Sequence, residues 1–313
     1  MFHLITLSNT LQLMCFFGVA IAGYMEEKYS ASVIEDSALD MLGLTRKYHY
    51  PLESHFVTTE DKYILRLFRL PRPKARPVFL MHGLLDSSIT WLLSGPWAAL
   101  GYYLYDLGYD VWMGNARGNF YSRNHTTYNP DIDKSFWRFS WHEIGFYDLP
   151  ASIDYVLNKT GYDKMAYFGH SQVSFQLKYW LLLLFYLNKQ ITYETSSKKF
   201  RRSNDHIDAY CCHHCPLRLC STENLKRYNS SQPKDYPIKN ITAPVALYYT
   251  SNDNLSSYKD VMHLSKELPN VVENHLYPYK KWNHMTMIWG LEARELTHKN
   301  MVELMKKYEP ESK

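Results

Sequence analysis

The stretch Met165-Ala-Tyr-Phe-Gly-His-Ser-Gln-Val173 decides the fold. Its first four residues are hydrophobic and predict a short buried strand. The next five match the pattern Gly-x-Ser-x-Gly, a sharp turn from strand to helix that exposes the serine hydroxyl, except that Val173 replaces the second glycine. The turn predicts that Ser171 is a nucleophile. The branched side chain of Val173 argues against it, because it would crowd the point where the helix packs.

Hydrophobic strands alternate with helices on both sides of this turn. A hairpin of His55–Thr58 and Tyr63–Leu70 is predicted first. The strands predicted after it are Pro77–Met81, Gly108–Met113, Met165–Phe168, Val245–Tyr249 and Val271–Leu276. The predicted helices are Trp97–Leu107, Trp141–Lys159, Tyr258–Glu267 and one or two within Met285–Lys307. This alternation predicts an α/β fold, with helices on both faces of a mostly parallel sheet.

Two polar residues that follow later strands are candidate partners of Ser171. Asp253 comes just after the strand Val245–Tyr249, and His284 lies on the loop before the closing helices. The chain order Ser, Asp, His is the one that hydrolases with this turn use. Because the carboxyl ends of parallel strands gather at one edge of a sheet, we predict that Ser171, Asp253 and His284 form a catalytic triad.

A serine that attacks an acyl group also needs N–H donors for the oxyanion that develops. One candidate is the backbone N–H of Gln172, directly after the nucleophile, and the other is that of Leu84 in the loop after Pro77–Met81. His82, two residues before Leu84, is expected to shape this loop rather than to act as a base.

Seven motifs occur along the chain in a fixed order. They are Val57-Thr-Thr-Glu-Asp-Lys-Tyr-Ile-Leu65, Phe79-Leu-Met-His-Gly-Leu-Leu85, Gly108-Tyr-Asp-Val-Trp-Met-Gly-Asn-Ala-Arg-Gly118, Tyr147-Asp-Leu-Pro-Ala151, Gly169-His-Ser-Gln172, Tyr248-Tyr-Thr-Ser-Asn-Asp253 and Trp282-Asn-His284. Together they resemble the acid lipases, the group of lysosomal acid lipase, gastric lipase and the insect secreted lipases. The resemblance covers residues 34–172 and 223–308, the two parts of an expected hydrolase core.

The resemblance implies an α/β-hydrolase fold with Ser171, Asp253 and His284 as triad and with Leu84 and Gln172 as the oxyanion pair. It implies lipid esters as substrates, either triglycerides or sterol esters at a lipid–water interface. It implies no cofactor.

Residues 173–222 interrupt the resemblance. The family carries a further core strand and a helical cap at this place, and the interval is too short for both. We therefore expect an atypical insert, a truncated cap and neighbouring strands with unpaired backbone groups. One hypothesis is a retained intron, because CAG-GTA-AGT, a splice donor read in frame, encodes Gln172-Val173-Ser174. Sequencing the transcript across these codons tests it.

Residues 1–22 read as a signal peptide, with an apolar run Leu11–Ala22 and cleavage expected after Ala22. The run is too short for a stable membrane span. Secretion or delivery to the lysosome is expected, and sequons predict glycosylation at Asn124, Asn158, Asn229 and Asn240. A fifth sequon at Asn254 adjoins Asp253, where a glycan would obstruct the site.

The net charge of +4 and the lack of a basic stripe argue against nucleic-acid binding. Four cysteines between 211 and 220 lie beside His213 and His214. Their spacing matches no standard zinc site, and secretion favours disulfides, so no metal is predicted.

Three functions remain open. The first is a secreted lipase that uses a Ser–Asp–His mechanism. The second is a catalytically inactive lipase-like remnant or lipid-binding protein, which Val173 and the missing cap favour. The third is a zinc-binding or membrane-anchored module built on residues 179–220.

Overall fold

The computed structural model describes residues 30–171, 182–188, 239 and 241–309. It divides into two compact units, Met1–His49 and Tyr50–Lys313. The described part of the first unit forms two helices, α1 (Ala31–Ala38) and α2 (Met41–Lys47). The side chain of Asp40 caps α2 by accepting the Gly43 N–H at 2.8 Å.

In the described part of the second unit, nine strands form one mixed sheet. They are β1 (Glu53–Thr58), β2 (Tyr63–Leu70), β3 (Pro77–Met81), β4 (Asp110–Gly114), β5 (Asn124–His125), β6 (Lys164–Gly169), β7 (Leu182–Asn188), β8 (Val245–Thr250) and β9 (Val271–Tyr277). The order across the sheet is β1-β2-β4-β3-β6-β7-β8-β9, and β5 pairs with β2. The pairs β3–β4, β3–β6 and β8–β9 are parallel, and the remaining pairs are antiparallel.

Among the described residues of this unit, the helices are short. They are α3 (Gly95–Ala98), α4 (Leu100–Asp106), α5 (Trp141–Glu143), α6 (Leu149–Thr160), α7 (Tyr258–Glu267), α8 (Thr286–Trp289) and α9 (Lys299–Lys307). Every residue of β3 and β8 is buried, as expected of strands covered on both faces. Their side chains join α6 and α7 in one apolar cluster that includes Phe79, Val156, Leu247 and Val261.

The predicted hairpin and the alternation of strands and helices are confirmed, and two predicted helices are interrupted. Ala99 has extended backbone, so the segment predicted as Trp97–Leu107 forms α3 and α4. The segment Trp141–Lys159 contains one π-helical turn, Ile144–Asp148, between α5 and α6. Pro150 explains this turn, because it has no N–H to continue the α-helical ladder at the start of α6.

The expectation that the core strands beside residues 173–222 lose a neighbour is wrong. β7 lies between β6 and β8 and pairs with both, with Gly169 opposite Leu183 and Leu182 opposite Tyr248. It runs antiparallel to each neighbour, so β6 and β8 point in the same direction. The hydrophobic run that starts at Tyr179 therefore contributes an interior strand, and the backbone groups of β6 and β8 are paired along it.

A buried cation joins the hairpin turn, the loop after β4 and the π-helical turn. The guanidinium of Arg117, whose side chain is 0% exposed, makes a bidentate contact with Asp61 and a second contact with Asp148 at 2.8–2.9 Å. The ring of Tyr63 covers the guanidinium at 4.0 Å. Burial raises the pKa of Asp148 to about 6, although Arg117 acts to lower it. Arg117 therefore supplies the positive charge that offsets the carboxylates of Asp61 and Asp148.

Replacing Arg117 with Met should destabilise the fold severely, because it leaves two carboxylates facing each other without a cation. We expect a loss of about 3–5 kcal/mol in the free energy of unfolding, measured by chemical denaturation. The matched control is Arg123→Met, which removes an exposed ion pair with Asp131 and should cost no more than about 1 kcal/mol. Equal losses in the two variants would contradict a special role for the buried cation.

Candidate active site

Ser171 lies at the end of β6 in a strained conformation. Its φ is +58°, in the left-handed region that non-glycine residues seldom adopt, and the residue is 3% exposed. Directly before it, the His170 N–H donates to the Met81 carbonyl at the end of β3, at 3.1 Å. Strain of this kind persists only where the surroundings hold it, and it concentrates at functional sites.

His284 and Asp253 form a hydrogen-bonded pair. The His284 Nδ1–H donates to Asp253 Oδ2 at 2.7 Å, and both side chains are buried. The other carboxylate oxygen of Asp253 accepts the N–H groups of Leu255 and Ser256 at 2.8 and 2.7 Å. The carboxylate is thus fixed in place, and with Nδ1 protonated, Nε2 is the ring nitrogen of His284 that can accept a proton.

The topology brings the predicted residues to one edge of the sheet. Because β3, β6, β8 and β9 all run in the same direction, the loops that follow them meet at their carboxyl ends. These loops carry, in turn, Leu84, Ser171, Asp253 and His284. Gln172 lies outside the described residues, as does Val173.

The loop after β3 packs directly against the turn at the end of β6 that carries Ser171, which we call the elbow. A Cβ atom added at Gly83 would lie 2.8 Å from Ser171 Cβ and 3.2 Å from His170 Nδ1. Side-chain Cβ atoms do not approach so closely, so only glycine allows this loop to lie beside the serine.

His82 sets the orientation of this loop. Its Nε2 accepts the backbone N–H of Ala116 at 3.1 Å, so the ring proton is on Nδ1, which donates to the Gly83 carbonyl at 2.8 Å. Burial lowers the pKa of His82, which keeps the ring neutral and this tautomer in place. Since the peptide is planar and trans, the Leu84 N–H points away from His82. The contacts of His82 with Ala116 and Gly83 therefore support the interpretation that His82 shapes this loop.

Sequence reasoning overlooked His170 and Asn119. His170 Nε2 lies 3.1 Å from the backbone oxygen of His284 and therefore donates to it. The Asn119 amide lies 3.0 Å from His82 Nε2 and donates to Asn115 Oδ1 at 2.8 Å. The signal for His170 was its place inside the Gly-x-Ser motif. No local pattern predicts the contact between Asn119 and His82, because the two residues are 37 positions apart.

The remaining predicted sites are partly described. Asn124 and Asn158 are exposed. Asn229, Asn240, the segment 1–22 and the cysteine cluster lie outside the described residues. Among the residues that the structure describes, no group of three His, Cys, Asp or Glu side chains could hold a metal ion. Within the same residues, no helix combines the length and hydrophobicity of a membrane span.

Comparison with known proteins identifies the family. A family model of the partial alpha/beta-hydrolase lipase region matches residues 43–95, and a model of the alpha/beta hydrolase fold matches residues 76–184. Lipase 1 of Drosophila melanogaster is 33% identical, over 88% of this chain and 82% of the relative. The chain belongs to the acid lipase family.

Other relatives agree with this assignment to the acid lipases. Lipase 3 of Drosophila melanogaster is 35% identical over 83% of this chain and 91% of the relative. Human lysosomal acid lipase/cholesteryl ester hydrolase is 30% identical over 83% of this chain and 89% of the relative. The alignment with Lipase 1 spans 359 positions, more than the 313 residues of this chain, so the fly lipase carries residues that this acid lipase lacks.

Solved structures show the α/β-hydrolase fold. An esterase of Pyrococcus furiosus superposes with a TM-score of 0.51 at 14% identity, over 84% of this chain and 95% of the esterase. Est1E of Butyrivibrio proteoclasticus gives a TM-score of 0.51 at 14% identity, over 81% of this chain and 98% of that protein. The predicted fold class is therefore confirmed.

Replacing Gly83 with Ala should slow the reaction of Ser171 with a fluorophosphonate, a reagent that reacts efficiently only with an activated serine. The added methyl group would push the loop away from the elbow, and we expect a loss of roughly tenfold or more in rate. Gly161→Asn is the matched control, because Gly161 has φ +76° with open space around it and Asn tolerates this conformation. A Gly83→Ala variant that is folded and reacts at the normal rate would contradict the close packing.

Proposed function

We propose that this acid lipase is an active serine hydrolase that cleaves lipid esters through an acyl-enzyme. The observation that carries the proposal is the buried His284–Asp253 pair, which lies at the same sheet edge as the strained Ser171. Relatives named as lipases at about 30% identity support the same reaction class.

In the proposed mechanism, His284 Nε2 takes the hydroxyl proton of Ser171 while Oγ attacks the ester carbonyl carbon. Asp253 holds the imidazole in its Nδ1–H tautomer and stabilises the imidazolium that forms. The tetrahedral intermediate collapses as His284 returns the proton to the leaving alcohol. A water molecule then attacks the acyl-enzyme by the same path and releases the fatty acid. No step requires a cofactor.

The backbone N–H groups of Leu84 and Gln172 would stabilise the oxyanion. For Leu84 the support is geometric, because His82 holds the Gly83 carbonyl and so directs the next N–H away from itself. The close packing of Gly83 on Ser171 supports a place for the Leu84 N–H near the ester carbonyl that Ser171 would attack. For Gln172 the support is its position directly after the nucleophile.

An apolar rim supports a lipid substrate. Large hydrophobic side chains are exposed on the segments that follow β3, β4, β8 and β9, the strands that end at the edge of the predicted triad. They are Leu84, Leu85, Phe120, Leu255, Trp289 and Leu291. Exposed apolar side chains around a site are a feature of surfaces that bind apolar ligands. Together with the human relative's name, this rim favours triglycerides or sterol esters presented at a lipid–water interface.

We further propose that residues 173–222 stand in place of the family's cap. The alignment with Lipase 1, which is longer than this whole chain, supports a loss of internal residues. The segment 1–22 is proposed to be a signal peptide that sends the chain to the lysosome or out of the cell. The lysosomal relative and the sequons support this route.

Covalent labelling tests the mechanism. The secreted chain should react with a fluorophosphonate, and Ser171→Ala should abolish the reaction. Asp253→Asn should slow ester hydrolysis by roughly 10³- to 10⁴-fold, because an amide disfavours the Nδ1–H tautomer and cannot balance the imidazolium. A soluble, monodisperse wild-type protein that does not react would instead support the inactive remnant that Val173 favours.

Glycan removal tests the secretory route. The secreted protein should shift to lower mass on treatment with peptide-N-glycosidase, and Asn124→Gln and Asn158→Gln should each reduce the shift, because both residues are exposed. Asn254→Gln serves as the control and should leave it unchanged. A protein from the medium whose mass is insensitive to the glycosidase would contradict the predicted glycosylation.

A further inference from the structure

We propose that His170 is a positioning residue that holds the loop of the catalytic base His284 over Ser171. The inference rests on the proposed function, since a base must exist to be positioned. It adds a residue to the machinery that is neither part of the triad nor an oxyanion donor.

The first support is a hydrogen bond between two catalytic loops. His170 Nε2–H donates to the backbone carbonyl of His284 at 3.1 Å, across 114 residues of sequence. The two rings also pack at 4.6 Å between centroids, tilted by 38°. The residue directly before the nucleophile thus contacts both the backbone and the ring of the base.

The second support is that His170 is itself held by other contacts. Its backbone N–H donates to the Met81 carbonyl at the end of β3, and its Nδ1 faces Gly83. Only 2% of the residue is exposed. A buried ring in this position adds a contact from the end of β6 to the loop between β9 and α8, which carries His284.

His170 does not compete with His284 as a base. Its Nε2–H donates to a carbonyl, and its Nδ1 lies beside Gly83, where an added Cβ would be only 3.2 Å away. Burial, and then the neighbouring His284, lower the pKa of His170 to about 3. The ring is therefore neutral across the working range of an imidazole base, and its contribution is geometric.

The test compares substitutions of His170 that keep or remove the Nε2 donor. The side-chain amide that His170→Gln introduces would reach the place of Nε2, whereas the shorter one from His170→Asn would reach only the place of Nδ1. We expect His170→Asn and His170→Leu to lower kcat for a soluble short-chain ester by roughly tenfold to a hundredfold, as a displacement of about 1 Å would, with KM little changed. His170→Gln should recover kcat to within about fivefold of the wild type.

The matched control is His298→Leu. His298 is also a buried histidine, its Nε2–H also donates to a backbone carbonyl at 3.1 Å, that of Met287, and burial lowers its pKa to about 4. In chemical denaturation, His298→Leu should lower the free energy of unfolding about as much as His170→Leu does. Because this hydrogen bond ends on α8 rather than on the backbone of His284, kcat per folded molecule should stay within about threefold.

The possible results separate the two proposals. If the wild type reacts with a fluorophosphonate and His170→Asn retains full kcat, or if His170→Gln is as impaired as His170→Asn, then the positioning role is wrong and the proposed function stands. If the folded wild type neither labels nor hydrolyses esters, the proposed function fails and the positioning role fails with it. Should His170→Leu not fold, the comparison of the Asn and Gln substitutions decides.

Discussion

The left-handed backbone of Ser171 is the constraint on which the catalytic edge depends. A non-glycine residue in this region is strained by about 1–3 kcal/mol, so the neighbouring structure must hold it. The contacts that do so are unusually direct: β6 is paired on both sides, His170 bonds to the end of β3, and Gly83 closes the space beside the serine. The turn places Ser171 at the end of β6, at the sheet edge where the loops of Asp253 and His284 meet.

Two neutral histidines connect this strained turn to the loops around it. His82 holds the loop after β3, and His170 holds the loop after β9. An imidazole suits this task because one ring nitrogen donates while the other can accept, within a rigid plane. Burial lowers the pKa of both rings and keeps them uncharged, so neither adds a full positive charge beside the base.

The ion cluster of Arg117, Asp61 and Asp148 is connected to the loop after β3. Arg117 is anchored by Asp61 and Asp148, and the residue before it, Ala116, donates its backbone N–H to His82. A chain of contacts therefore runs from the hairpin turn through Arg117 to the peptide of Leu84. Because each link is an ion pair or a hydrogen bond, a change far from Ser171 can alter the geometry of the proposed oxyanion site.

The sequence by itself determined the alternation of strands and helices, the elbow around Ser171 and the chain order of Ser171, Asp253 and His284. These follow from local hydrophobic patterns and short motifs, which act within a few residues. The loop after Pro77–Met81 indicated Leu84 as a second oxyanion donor, and the family resemblance added the class of substrate. Only the tertiary structure decided the direction of the strand between β6 and β8 and the hydrogen-bond partners of His82 and His170. β7 enters between β6 and β8 in the antiparallel sense, which no local pattern specifies, since strand direction depends on both neighbours. His82 and His170 bind groups that lie up to 114 residues away in sequence, and their tautomers depend on which backbone atoms the folded chain presents to each ring. Hydrophobic periodicity does not predict such contacts, because they form only when distant segments meet in the folded state.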